Sequence, residues 1–190
     1  WGNYSGYPTR TSTILQGISQ LAKGEVKYIP ACTLTRNEVA ESKFGQFFLS
    51  DKSTEKGMRA TYWNNPDMKG EPVATATYTA PINLSNGGNT VFVPGVNLTD
   101  FSARYEGVFV PEADETLNFK LGCDDGFRLI IDGDTVVNVW KGRARVQTAN
   151  KQVAVKKGKP MKVQVDYFQR TDLAVMQFDV QKNYTPTEQQ

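Results

Sequence analysis

Between Thr116 and Trp140 the sequence TLNFKLGCDDGFRLIIDGDTVVNVW leaves little choice of local structure. Leu117, Phe119 and Leu121 alternate with Asn118 and Lys120, the two-residue period of a half-buried strand. Phe127 to Ile131 is a second apolar run, and Asp132-Gly133 supplies the residues a two-residue type I′ turn requires. Thr135 to Trp140 then returns as a third strand. Between the first two strands sit two adjacent carboxylates, Asp124 and Asp125, followed by Gly126.

Consecutive strand residues point to opposite faces, so Asp124 and Asp125 meet at one ligand only if the backbone departs from regularity. A bulge, or an unusual peptide geometry such as a cis bond, would bring them together, and Gly126 makes either plausible. Converging carboxylates suit calcium, which takes about six to eight oxygens. The plainer reading is preferred here: Asp124 caps a turn while Asp125 bonds a nearby backbone amide or an arginine.

The chain has 190 residues, 39% of them hydrophobic, which suits one core of ordinary domain size plus an appendage. A net charge of +2 points to no partner. Its distribution is uneven, because residues 141 to 165 hold Lys141, Arg143, Arg145, Lys151, Lys156, Lys157, Lys159 and Lys162 with no acidic residue. A basic face for nucleic acid or an acidic saccharide is one reading of that run. The alternation in Val153-Ala154-Val155 and Lys162-Val163-Gln164-Val165 favours solvent-facing sides of strands.

Histidine is absent. That removes Ser-His-Asp and Cys-His nucleophile systems, HExxH sites and Cys/His zinc sites together. Glycine loops of the Rossmann or P-loop type are missing as well. A carboxylate-pair hydrolase remains formally open, but adjacent Asp124 and Asp125 are poorly placed to flank a bond from two sides. Cys32 and Cys123 have no metal-ligand spacing, and two unpaired buried thiols are preferred to one disulfide. No apolar run reaches the ~18 to 20 residues of a membrane span, and no leader peptide is recognisable. The chain opens on Trp1 and is expected to be a piece of a longer protein.

Residues 1 to 50 differ in character from the rest. A polar loop leads to Ser12 or Thr13, either of which can cap a helix carrying Ile14, Leu15, Ile18 and Leu21 and ending at Gly24. A short strand is expected over Glu25 to Ala31, and a second helix from Asn37 to Lys43. From Lys56 onward the helical period disappears. Strands are expected at Gly57 to Trp63, Pro72 to Thr79, Phe101 to Val110, the three central runs, Arg145 to Ala149, Gln152 to Lys156, Met161 to Gln169 and Leu173 to Gln181. Short strands with turn signals every eight to twelve residues predict a mainly β fold, an antiparallel β-sandwich or barrel with a short N-terminal α/β fragment. The expected divisions are 1–50, 51–182, and a polar tail at 183–190.

Four blocks in order, GMRATYWNNPDMKGEPV, FSARYEGVFVP, LGCDDGFRLIIDGDTVVNVW and VQVDYFQR, resemble the carbohydrate-associated β-barrel first named from the anthrax toxin protective antigen, the PA14 domain. The cover is roughly Lys56 to Gln181. GNYSGYPTRTSTILQGI and VKYIPAC resemble the start of the α/β sandwich domain of family-three glycoside hydrolases, β-glucosidases and β-xylosidases in which such a module can be inserted.

The resemblance implies a noncatalytic module that caps the active site and tunes substrate access. No catalytic residue of those enzymes maps onto this chain. The implied partners are a β-linked oligosaccharide or glycoside and the parent's catalytic domains, with no nucleic acid and no membrane. The implied location is periplasmic or secreted. No cofactor is expected, with calcium as the exception: in the sugar-binding adhesins of the family, an aspartate pair matching Asp124 and Asp125 holds calcium through a cis peptide. A calcium-dependent lectin is therefore the alternative function.

Aromatic rings offer a second route to sugar, since a pyranose stacks on an exposed Trp or Tyr. Trp63, Tyr62, Tyr105 and Trp140 are the candidates. Burial is the default for such residues, and Trp140 is expected in the core. Trp63, beside Asn64-Asn65-Pro66, is expected to be exposed. Asn3, Tyr4 and Tyr7 lie in the N-terminal loop, which by resemblance would approach the parent's substrate. Candidate carbohydrate contacts are thus Trp63, Tyr105, Asp124 and Asp125, with the two aspartates as candidate metal ligands.

Overall fold

The computed structural model describes residues 14–26, 39–50, 52–142 and 145–184. Contacts divide the chain into Trp1–Asn37 and Glu38–Gln190. The described part of the first unit holds one helix, α1 (Ile14–Leu21), as the 3.6-residue spacing predicts. Ile18 and Leu21 on it are exposed. Of the strand expected at Glu25 to Ala31, Glu25 and Val26 are not in a strand and the remainder lies outside the described residues.

The second unit is built from strands β1 (Val39–Ser42), β2 (Phe47–Leu49), β3 (Lys52–Lys56), β4 (Met58–Trp63), β5 (Ala74–Tyr78), β6 (Ile82–Ser85), β7 (Phe101–Phe109), β8 (Glu115–Asp124), β9 (Gly126–Ile131), β10 (Asp134–Val139), β11 (Gln147–Val155), β12 (Met161–Gln169) and β13 (Val175–Tyr184). They form two antiparallel sheets. The smaller runs β1-β13-β8-β11, with β6 also on β13. The larger runs β10-β9-β12-β7-β2-β3, with β4 on β7 and β5 on β4. This is the mainly β, antiparallel sandwich or barrel that the short alternating strands and their turn signals predict.

The central stretch folds as its pattern demands. Asp132 and Gly133 both take positive φ, 51° and 94°, closing the β9–β10 hairpin with the twist a right-handed ribbon needs. The inward side chains of the two sheets make one core. Phe44, Phe47, Phe109, Phe119 and Phe178 meet with ring centroids 5.0 to 6.5 Å apart. Burying one such ring is worth about 2–3 kcal/mol.

Several expectations are corrected. The helix expected from Asn37 to Lys43 is corrected over its described part: Val39–Ser42 is β1, pairing with Gln181–Tyr184, while Asn37 and Glu38 lie outside the described residues. A single 3₁₀ turn, Phe44–Gln46, follows and drives Phe44 and Phe47 into the core. Pairing with the edge of β13 and this apolar anchor outweigh the local helical preference of the segment. The strand-built body therefore reaches back to Val39, before the boundary expected at residue 51. At the other end Asn183 and Tyr184, assigned to the tail, continue β13. The two strands expected between Arg145 and Lys156 are one, β11, in register with β8 from Gln147 to Val155. Cys123 is buried and free, while Cys32 lies outside the described residues.

Candidate functional site

The chain passes from the small sheet to the large one at a single residue. Asp124 ends β8, Gly126 begins β9, and Asp125 alone lies between them. The Asp124–Asp125 peptide bond is cis. Both side chains line one cavity of about 450 Å³ together with Gly142, Arg145, Arg170 and Asp172. Gly126 has a packing reason: a Cβ there would run into the Phe168 ring.

The corner is held from several sides. The Tyr167 hydroxyl donates to the Asp124 carbonyl, and Gln169 Oε1 lies 3.0 Å from the same hydroxyl. Gln147 Nε2 donates to the Asp125 carbonyl at 3.1 Å. Asp125 Oδ2 accepts the Arg170 backbone N–H at 2.9 Å, the bond that the plainer reading gives this side chain. Below the adjoining loop, Asn86 donates to the Leu98 and Asp172 carbonyls at 3.0 and 3.2 Å and accepts from Ala174 N–H at 2.7 Å. One buried amide thus fixes three segments.

Burial raises the Asp124 carboxyl above its ordinary range, and the negative charges of Asp125 and then Asp172 add to the effect. The cavity concentrates negative charge, but Arg145 and Arg170 line it too. Among the described residues no group of three or more acidic, cysteine or histidine side chains is placed to hold a metal ion. Calcium takes about six to eight oxygens, so among the described residues carboxylates alone do not make up its shell.

The aromatic candidates separate. Tyr105 is corrected: it is fully buried, its ring edge-on to Tyr62 at 6.1 Å, and it cannot stack on a sugar. Tyr62 is buried with it and shares a 2.8 Å hydrogen bond with Tyr78. Trp63 ends β4 half-buried, its indole N–H donating to the Gly70 carbonyl at 3.1 Å. Trp140, expected in the core, is half-buried on the outer face of the large sheet. Its ring meets Phe168 edge-on at 4.7 Å, and the Arg128 guanidinium covers it at 4.0 Å. Asn3, Tyr4 and Tyr7 lie outside the described residues.

Beside Trp140 lies a constellation the sequence did not announce. Asp166 of β12 is 2% exposed at its side chain and sits in register between Arg104 of β7 and Arg128 of β9. Arg104 Nε and Nη2 donate to it at 2.8 and 3.2 Å, Arg128 Nη2 at 3.1 Å and Gln164 Nε2 at 2.9 Å. In the basic run, Lys151, Lys156, Lys157, Lys159 and Lys162 are exposed, and Lys156 pairs with Asp114 at 2.9 Å. Arg143 lies outside the described residues.

Comparison of the sequence with known proteins adds to this architecture of two antiparallel sheets. The PA14 domain family matches residues 54–186. The chain belongs to the PA14 domain family. A xylan 1,4-beta-xylosidase of Xylanibacter ruminicola is 35% identical over 143 residues, 74% of this chain and 16% of that protein. The anti-sigma-I factor RsgI3 of Acetivibrio thermocellus is 25% identical over 121 residues, 64% of this chain and 18% of that protein. This PA14 chain therefore spans less than a fifth of either relative. The beta-glucosidase of Kluyveromyces marxianus, solved in complex with glucose, superposes with a TM-score of 0.60 at 16% identity, covering 78% of this chain and 20% of that one. At that identity the likeness concerns the PA14 fold alone.

Proposed function

We propose that this PA14 chain is a noncatalytic module of an exported, periplasmic or secreted family-three β-xylosidase or β-glucosidase, where it caps the active site and tunes which substrates enter. The observation that carries the reading is the 35% identity to a xylan 1,4-beta-xylosidase of which the match spans only 16%. A stretch of that size inside a much longer glycosidase is a module of it. The partners in this reading are a β-linked oligosaccharide and the parent's catalytic domains.

The site chemistry supports a role outside bond cleavage. Two carboxylates that flank a glycosidic bond stand about 5–9 Å apart on either side of it. Asp124 and Asp125 instead share a peptide bond and one cavity, and Asp125 is engaged by the Arg170 amide. The purified chain is expected to hydrolyse neither aryl β-xyloside nor aryl β-glucoside. Turnover abolished by Asp124→Ala would overturn the reading. In the parent enzyme, removal of the module is expected to change the preference for substrate length, and an unchanged preference would leave it a spacer.

A second reading, a calcium-dependent lectin, is favoured by one observation: the aspartate pair shares a cavity in which burial, and then the negative charges of Asp125 and Asp172, press Asp124 toward protonation. Calorimetry with calcium, then with monosaccharides, in the presence and absence of chelator decides it. Heat that is absent, or indifferent to chelator, removes this alternative.

A further inference from the structure

The outer face of the small sheet carries a second cavity, of about 480 Å³, that shares no lining residue with the aspartate cavity. Its composition follows from strand register. Asn83, Gln177, Gly122 and Thr148 form one row across β6, β13, β8 and β11. Asp179, Lys120 and Asn150 form the next, and Gln181 lines it from a third row, opposite Asn118. Rows lie about 7 Å apart along the strands, and neighbours within a row about 5 Å apart across them. The result is a grid of amides and a hydroxyl in which Gly122 makes room for the Gln177 side chain. A Cβ at Gly122 would come within 2.7 Å of Gln177 Oε1, so the amide lies directly over the glycine.

Three properties restrict what can occupy this groove. It is formally neutral, because Lys120 and Asp179, the charged residues that line it, stand opposite each other in register. It is rich in amides that are partly committed: Gln177 donates to Asn83 at 3.0 Å and Asn150 to Asn118 at 3.2 Å. An amide bound through one atom keeps the other for a ligand. Finally, β8 is paired on both sides, by β13 and β11, and β13 by β8 and by β1 and β6, so an extended peptide has no central backbone edge to join. An apolar ligand would strand the amides without partners, and a charged one would find no net field.

We propose that this groove binds a neutral polyhydroxylated chain, a short β-linked oligosaccharide, through its amide side chains. Side-by-side donor and acceptor of one amide match adjacent ring hydroxyls, and the volume falls in the ordinary range for ligand sites. The groove rests on the module reading only for the choice of β-linked sugars. It lies apart from the aspartate pair and requires no metal.

The test titrates this chain, in chelator, with xylotetraose and separately with cellotetraose while following backbone amide NMR shifts. Saturable shifts centred on Gly122, Thr148, Asn150 and Gln177 are expected with at least one of the two. The double variant Gln177→Ala, Asn150→Ala should bind roughly tenfold more weakly, from two lost neutral hydrogen-bonding groups. Gly122→Val, which displaces the Gln177 amide from over the sheet, should abolish the shifts, whereas Asp124→Asn should leave them unchanged. No shifts with either sugar, shifts centred on the aspartate cavity, or undiminished binding by the folded double variant would each overturn the proposal. If a variant fails to fold, the wild-type shift map decides alone. The length-preference experiment on the parent fails independently, since a module can restrict access with an empty groove and a groove can bind sugar in a chain that caps nothing.

Discussion

Replacing Asp166 by alanine tests how the outer face of the large sheet is held. Its carboxylate, 2% exposed, accepts four hydrogen bonds from Arg104, Arg128 and Gln164. Breaking a buried pair by removing one partner costs about 3–5 kcal/mol when the other charge is left without solvent. Here the stranded charges are not so confined, because the Arg104 and Arg128 side chains are 36% and 34% exposed. Water can take over part of what the carboxylate supplied, which lowers the expected cost to about 2–3 kcal/mol. Asp166→Asn keeps the shape but turns an amide N–H toward a guanidinium, so it should cost nearly as much. Urea unfolding followed by tryptophan fluorescence measures both variants. It has a second readout, since Trp140 lies against Arg128 and its emission should shift with the released guanidinium. A loss below about 1 kcal/mol for both variants would refute the reasoning, because the arrangement would then be a solvated surface pair.

Three further outcomes are expected. Gly126→Ala should destabilise by about 1–3 kcal/mol through overpacking against Phe168, and the double variant Gly126→Ala, Phe168→Leu should recover part of it in the same unfolding assay. Asp124 has its folded pKa raised, so the stability it contributes is present at pH below the ordinary carboxylate range and is lost as pH rises through the folded value. In chelator, Asp124→Asn should therefore melt higher than wild type at pH 7, with the gap closing on acidification; a lower melting temperature at pH 7 would contradict it. Burial pushes the Cys123 thiol up to about 12, so in a Cys32→Ser background thiol reagent at pH 8 should label the chain only after unfolding.

How much of this could be read from the sequence follows from where each signal resides. Strands β4, β7, β8, β9, β12 and β13 carry their own alternation, and the Asp132-Gly133 turn carries its own backbone requirement. They were legible because the information is local. Strands β1, β2, β3 and β6 were not, being short segments whose pairing comes from β13 or β7, or, for β3, from β2. Tyr105 and Trp63 look alike in sequence, as aromatics in strands, and only strand order decides that one faces the core. The aspartate pair was visible because adjacency is a sequence property. The Arg104–Asp166–Arg128 arrangement and the amide grid were invisible, because each depends on register between strands widely separated along the chain.

One pairing has a consequence for how such a unit can travel. Val39, where the described strands begin, is the register partner of Tyr184, where they end, so the two lie within about 5 Å of each other. A unit whose entrance and exit stand side by side can be spliced into a surface loop without prising apart the elements that loop connects. The host need only bridge the width of one strand pair, whatever its own architecture.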